Sequence, residues 1–197
     1  MIAATALICC GCSVSSNNDD TSPQVGAGTE VSGEAGAGGS ADEEESGGAG
    51  AAFEGTAAEL LQSVIGGAGA LPGVVIDPVT AENAPAVLGL LADDFASYIK
   101  DAAVAANEAG EAAFQAAVVL CRYTDDASMI DGLIREGFDP GKWVYVFPDR
   151  ALTSVSGAYI LLAAGSDAET AELAAAFKTT AGGFAQTTVF YEGETGG

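Results

Sequence analysis

Histidine is absent from this 197-residue chain, and six Lys and Arg stand against 28 Asp and Glu, for a formal charge of −22 at pH 7. Without histidine the chain lacks both the usual general base at neutral pH and the commonest metal ligand, so Ser-His-Asp and Cys-His chemistry are excluded within it. The shortage of basic residues excludes another class. Nucleic acid and anionic membrane surfaces repel so acidic a chain, which leaves no role for polybasic docking. Long apolar runs are also wanting at the N-terminus, where "IAATALICC" covers only residues 2–10 and a membrane-spanning helix needs about 20. Cysteine is scarce beyond the start: three of the four are Cys9, Cys10 and Cys12, and the body holds only Cys121.

The acid excess has two readings. A high-salt host would use it to hydrate the surface where repulsion is screened, and an Ala/Gly-rich exported protein would use it for solubility. Residues 13–52 contain eight of the 28 acidic residues and no basic one, so the remaining 20 acids against six bases leave the body at −14.

Residues 2–10 have the size of a secretory apolar region, and the small residue Gly11 precedes Cys12. This stretch resembles the lipobox of bacterial lipoproteins, in which a cysteine after a small residue is lipidated and becomes the new N-terminus. Cys9 stands where that family usually has Leu, and no Lys or Arg follows Met1. The resemblance implies an export signal over 1–12, Cys12 as the lipid carrier, and a protein held on the extracytoplasmic face of the cell membrane. A metal site would need a folded scaffold around these cysteines, and a disulfide would need partners in a body that offers only Cys121.

Residues 13–52, "SVSSNNDDTSPQVGAGTEVSGEAGAGGSADEEESGGAGAA", have no large apolar residue beyond two Val and predict a disordered acidic tether. Their Gly-rich pieces follow no strand and precede no helix, so they are not phosphate loops.

The body over 53–197 reads as one α+β domain: a largely antiparallel sheet of about four or five strands with helices on one face. Thr56 and Glu59 form a capping box ahead of Leu60, Leu61, Val64 and Ile65, predicting a helix that ends at Gly66-Gly67. "VVID" predicts a short strand, and a helix is expected over 84–94. Residues 95–117 look helical from their alanines, but "NEAGE" interrupts them, and two strands with a turn over 108–111 are preferred. "AVVLCRY" predicts a buried strand and "ASMIDGLIREG" a helix burying Met129, Ile130, Leu133 and Ile134, with Gly137 as its cap. "KWVYVF" predicts a strand, "PDRALTS" a connector, "SGAYILLAA" a strand apolar on both faces, Ser166 and Glu169 a second capping box before a helix carrying Leu173 and Phe177, and "FAQTTVFY" a closing strand. In element order, "AVVLCRYTDDASMIDGLIREG" and "GAYILLAAGSDAETAELAAAF" resemble an uncharacterised family of short lipoproteins from anaerobic Gram-positive bacteria, in which a domain of unknown function follows the lipid-bearing cysteine. That family lends no catalytic residue.

Among residues that carry chemistry, Cys121 reads as core, since an unpaired thiol in an apolar strand behaves as a small hydrophobe. Asp93-Asp94 and Asp125-Asp126 are adjacent carboxylates that point apart, whereas a two-carboxylate hydrolase sets its acids on separate elements. Asp125 and Asp126 suit a helix start. "DDASMIDG" lacks the alternating oxygens of a calcium loop. Trp143, Tyr145 and Phe147 alternate along the expected strand and share one face, either as core or as an aromatic binding platform, with the scarce cations Lys142 and Arg150 beside them. No metal and no cofactor is expected. The sequence therefore favours a lipid-anchored extracytoplasmic protein of non-catalytic, binding or scaffolding character, its partner a small-molecule ligand or another extracytoplasmic protein and not nucleic acid. An envelope-tethered Asp/Glu hydrolase and an unlipidated protein of a halophile are the alternatives.

Overall fold

A computed structural model of the chain describes residues 52–69, 71, 74–107, 112–143 and 146–193. The expected export signal, Cys12 and residues 13–51 of the expected tether lie outside the described residues.

The first helix, α1 (Ala57–Gly67), starts where its capping box predicts: Thr56 Oγ1 accepts from the Glu59 amide at 3.2 Å, and Glu59 Oε2 accepts from the Thr56 amide at 2.8 Å. Those Thr56 bonds hold the Glu59 carboxyl below its usual range. Leu60, Leu61 and Val64 form the buried stripe. Strand β1 (Val74–Pro78) follows.

The single helix expected over 84–94 is two, α2 (Ala84–Leu88) and α3 (Ala92–Tyr98). Gly89 separates them in the left-handed region at φ +72°, a conformation that ends a helix and that other residues rarely adopt. The backbones of Gly89 and Gly137 touch, and a Cβ on either would run into the other's carbonyl oxygen.

The alanine-rich segment does form a strand pair. In β2 (Ile99–Asn107) and β3 (Gln115–Cys121), Val104 lies opposite Ala117, while the expected turn over 108–111 falls outside the described residues. A 3-10 turn (Thr124–Asp126) leads into α4 (Ala127–Gly137), and neither Asp125 nor Asp126 makes a side-chain cap bond in it. The buried face of α4 is Ala127, Ile130, Asp131 and Ile134; Met129, expected inside, is 44% exposed.

None of the described residues of the expected strand over 142–147 lies in a strand. Pro140–Lys142 is a 3-10 turn, and Trp143, Val146 and Phe147 are irregular. The expected connector instead supplies β4 (Arg150–Ser156), followed by β5 (Tyr159–Gly165), α5 (Asp167–Thr180) and β6 (Gln186–Glu192). Prolines 140 and 148 bracket the aromatic stretch and restrict its backbone, and the tertiary environment favours "RALTSVS", whose Ala151, Leu152, Thr153 and Ser154 are buried between neighbouring strands.

Among the described residues six strands run β1-β2-β3-β5-β4-β6, every pair antiparallel, one or two more strands than the pattern suggested. The α+β class holds, but helices cover both faces rather than one. On one face Ala116, Val118, Leu120, Leu161 and Ala163 pack with Leu60, Leu61 and Val64 of α1 and Leu173 and Phe177 of α5. On the other, Ala117, Val119, Cys121, Ile160 and Leu162 pack with Leu88 of α2 and Ile130 and Ile134 of α4. The reason is in the central strands: every residue of β3 and β5 is buried, so each has two apolar faces to cover. Each fully buried Leu or Ile contributes roughly 1.5–3 kcal/mol over its exposed state.

Candidate functional site

The antiparallel register fixes two ends of the sheet. Leu120 pairs with Tyr159 at one end and Gln115 with Ala164 at the other. A cluster of polar and aromatic side chains lies at each of these two ends.

At the first end the chain enters the fold. Phe53 lies edge-on to the Tyr159 ring at 5.8 Å, and Tyr159 OH donates to the Gly55 carbonyl at 2.6 Å while accepting from the Gly55 amide at 3.3 Å. Asp101, from β2, accepts from the Ala57 amide at 2.8 Å, so a carboxylate of the sheet caps the first turn of α1. An open cleft of about 610 Å³ lies beside these contacts, with Glu54, Glu59, Lys100 and Leu120 among its walls.

The other end carries Lys142 and Trp143. Gln115, buried at the start of β3, donates from Nε2 to the Val87 carbonyl of α2 at 2.8 Å. Lys142 Nζ donates to Gln115 Oε1 at 2.7 Å and to the same Val87 carbonyl at 3.3 Å. The ammonium also lies 4.6 Å from the Trp143 ring centroid and 5.3 Å from that of Phe138, within reach of a cation–π attraction. Phe138 in turn contacts Trp143, Phe190 and Tyr191 at centroid separations of 6.0, 5.2 and 5.8 Å. Burial pushes the Lys142 amine down to about 8, partly opposed by the Asp139 carboxylate. Asp139 itself accepts from the Gly141 amide at 2.7 Å, which shapes the turn that presents Lys142. Lys142 borders a cavity of about 250 Å³ whose walls include Pro85, Val87, Gly137, Phe138 and Asp139. Two of the three ammonium protons are directed to oxygens, and the ammonium lies beside two aromatic rings.

The sequence-predicted site residues separate. Lys142 and Trp143 meet, whereas Phe147 stands 57% exposed on a second cavity of about 260 Å³, with Val146, Asp149 and Glu169 on its walls. Tyr145 lies outside the described residues. Arg150 opens β4 and stands 3.1 Å from Asp167 of α5; the angle is not that of a hydrogen bond, and its Nε is left without one. Trp143 and Phe147, the two of the three aromatics that are described, share no strand face, because neither lies in a strand. Sequence reasoning missed Phe138, Gln115 and the Val87 carbonyl. The local signal for Gln115 was its place as a polar residue at the head of an otherwise apolar strand.

Cys121 is buried in the face covered by α4, and burial pushes its thiol up to about 12, with Asp126 adding to the shift. Asp131 pairs through Oδ2 with Arg135 at 3.0 Å, while Asp131 Oδ1 and Thr153 Oγ1 are buried with no hydrogen-bond partner. Among the described residues no group of three or more His, Cys, Asp and Glu is placed to hold a metal ion, and no helix is long and apolar enough to cross a membrane. No family model matches the chain, and neither a curated protein nor a solved structure is significantly similar to it.

Proposed function

We propose that this chain is an exported lipoprotein, anchored through Cys12 on the extracytoplasmic face of the membrane, whose α+β domain binds a small molecule or another extracytoplasmic protein rather than catalysing a reaction. Segment 13–52 serves as the tether. Durable anchoring needs more than one acyl chain, which lipidation at an N-terminal cysteine provides.

The observation that carries this reading is the placement of the two sheet ends. The chain enters at Phe53, held to Tyr159, and the Lys142–Trp143–Phe138 cluster with its cavity is at the opposite end of the same strands. Seven residues of β5 separate them, about 23 Å of extended chain. A body tethered at its entry point offers its other end most freely to the surroundings. The aromatic end is where the chain exposes Val146 and Phe147 and carries one of its scarce cations.

Fractionation of cells producing the full chain tests the anchor. The wild-type protein is expected in the membrane fraction, and Cys12→Ser in the soluble one with its fold intact by circular dichroism. Equal partition of the two would sink the reading.

A further inference from the structure

In a chain with 28 acidic residues, Lys142 avoids them. Among the described residues no carboxylate stands at ion-pair distance from its amine. The oxygens it meets are neutral, Oε1 of Gln115 at 2.7 Å and the Val87 carbonyl at 3.3 Å, and two aromatic rings lie beside it. Asp139 acts on it from further away, its Oδ1 taken up by the Gly141 amide. Both hydrogen bonds of Lys142 survive loss of a proton, because a neutral amine has two hydrogens for two oxygens and keeps a lone pair unengaged. Burial lowers the amine to about 8, so the neutral, nucleophilic form is present near neutral pH. The cavity that Lys142 borders, of about 250 Å³, is smaller than the roughly 300–1,000 Å³ of drug-sized ligand sites, and Pro85, Val87, Leu88 and Phe138 make much of its wall apolar.

We propose that Lys142 captures small, uncharged aldehydes as an imine, with their apolar substituent in this cavity; the ligand class so named rests on the reading of this end of the sheet as the binding end. The Nζ lone pair forms the new bond to the carbonyl carbon, and both amine hydrogens leave with the carbonyl oxygen as water. C=N replaces C=O, and no oxidant or reductant is needed. A proton from solvent then gives an iminium, which keeps one N–H for Gln115 Oε1 and keeps its charge beside the Phe138 and Trp143 rings. Other electrophiles fit less well. Acylation, or reaction with carbon dioxide, would remove that cation and add an oxygen where the Gln115 amide oxygen, the Val87 carbonyl and the Asp139 carboxylate are all acceptors already. Asp139 in the cavity wall and the chain's charge of −22 oppose an anionic carbonyl compound such as a 2-oxo acid.

The probe is butanal with sodium cyanoborohydride, which reduces an imine to a stable secondary amine, applied to the full 197-residue chain at about pH 7. The other lysines, Lys100 and Lys178, are exposed, so peptide mass spectrometry compares the enclosed amine with two open ones in the same sample. Lys142 is expected to gain the butyl group at least about tenfold faster than either, and glyoxylate, an anionic aldehyde, to show no such preference. Gln115→Glu sets a carboxylate beside Nζ that holds it as the ammonium, and with the fold unchanged by circular dichroism it slows labelling of Lys142 by about tenfold. Trp143, the single tryptophan, has its ring centroid 4.6 Å from Nζ, so its fluorescence reports occupancy without reductant. Lys142→Arg, which keeps a cation but forms no imine, is expected to abolish the change that butanal causes. Labelling of Lys142 no faster than that of Lys100 and Lys178 overturns the proposal, as does a rate that a folded Gln115→Glu leaves unchanged. If the Trp143 signal still saturates with butanal in that event, or persists in Lys142→Arg, the imine falls and binding at this end stands. If butanal moves neither labelling nor fluorescence, the cluster fails as a small-molecule site and both fall together.

Discussion

Lys142 is subject to opposed forces. Two oxygens, two rings and the Asp139 carboxylate favour the ammonium, while burial favours the neutral amine and dominates, bringing the pKa from 10.5 to about 8. A lysine lowered on folding binds fewer protons in the native than in the unfolded chain between those two values. Stability from this residue is therefore reduced at and below about pH 8 and regained as pH rises to about 10.5. Relative to Lys142→Met, the wild-type urea midpoint is expected to improve across that window; a difference that worsens with pH would mean that the oxygens and rings outweigh burial. Glycine is decisive at one contact. Gly89→Ala or Gly137→Ala drives a methyl into the opposing backbone and is expected to cost about 3 kcal/mol or more, whereas Gly132→Ala, within α4 and with open space around the added methyl, stabilises by about 0.5–1 kcal/mol. Urea unfolding of the three variants checks the contrast. At this scale Lys142 and Trp143 were legible, as a scarce cation beside a scarce aromatic. Their partners were not: Gln115 and Val87 are 27 and 55 residues away from Lys142, and the folded sheet brings them in.

Helix starts show the sequence at its most readable. Both capping boxes form, at Thr56 and Ser166, because each is closed by residues three positions apart and depends on no tertiary contact. Ser166→Ala is expected to cost about 1 kcal/mol, measured by thermal or urea unfolding. Strands depend on their neighbours. "KWVYVF" has the alternation of a strand, yet none of its described residues lies in one, while "RALTSVS" lacks the aromatics and is a strand, because the place between β5 and β6 goes to the segment that can be buried on both sides. The alanine-rich β2 was legible only through the turn signal that splits it from β3, since alanine alone points to helix. Coverage of both faces follows from β3 and β5 being buried throughout and, after Gln115, apolar on both sides. The two described aromatics of this stretch divide in energetic role: Trp143→Ala, which removes a packed ring, is expected to cost about 2 kcal/mol, and Phe147→Ala, at an exposed position, less than about 0.5 kcal/mol. Equal losses at both positions would make Phe147 part of the core instead of a free surface.

For the molecule as a whole, charge is the governing quantity. At −22 with six basic residues, the surface repels itself, and added salt is expected to raise the urea midpoint by screening that repulsion. The same acidity keeps the domain away from anionic lipid, so the proposed membrane attachment rests on the N-terminal anchor and not on the body's surface. Entry of the chain at Phe53 and a cation–aromatic cluster at the other end of the sheet suit the proposed domain, held at one end and binding at the other. The claim with most at stake is the anchor at Cys12, and the mass of the mature N-terminal peptide, taken from the membrane fraction, tests it most directly. The account predicts a peptide beginning at Cys12 and carrying acyl chains; an unmodified chain beginning before Cys12 and recovered from the soluble fraction would contradict it.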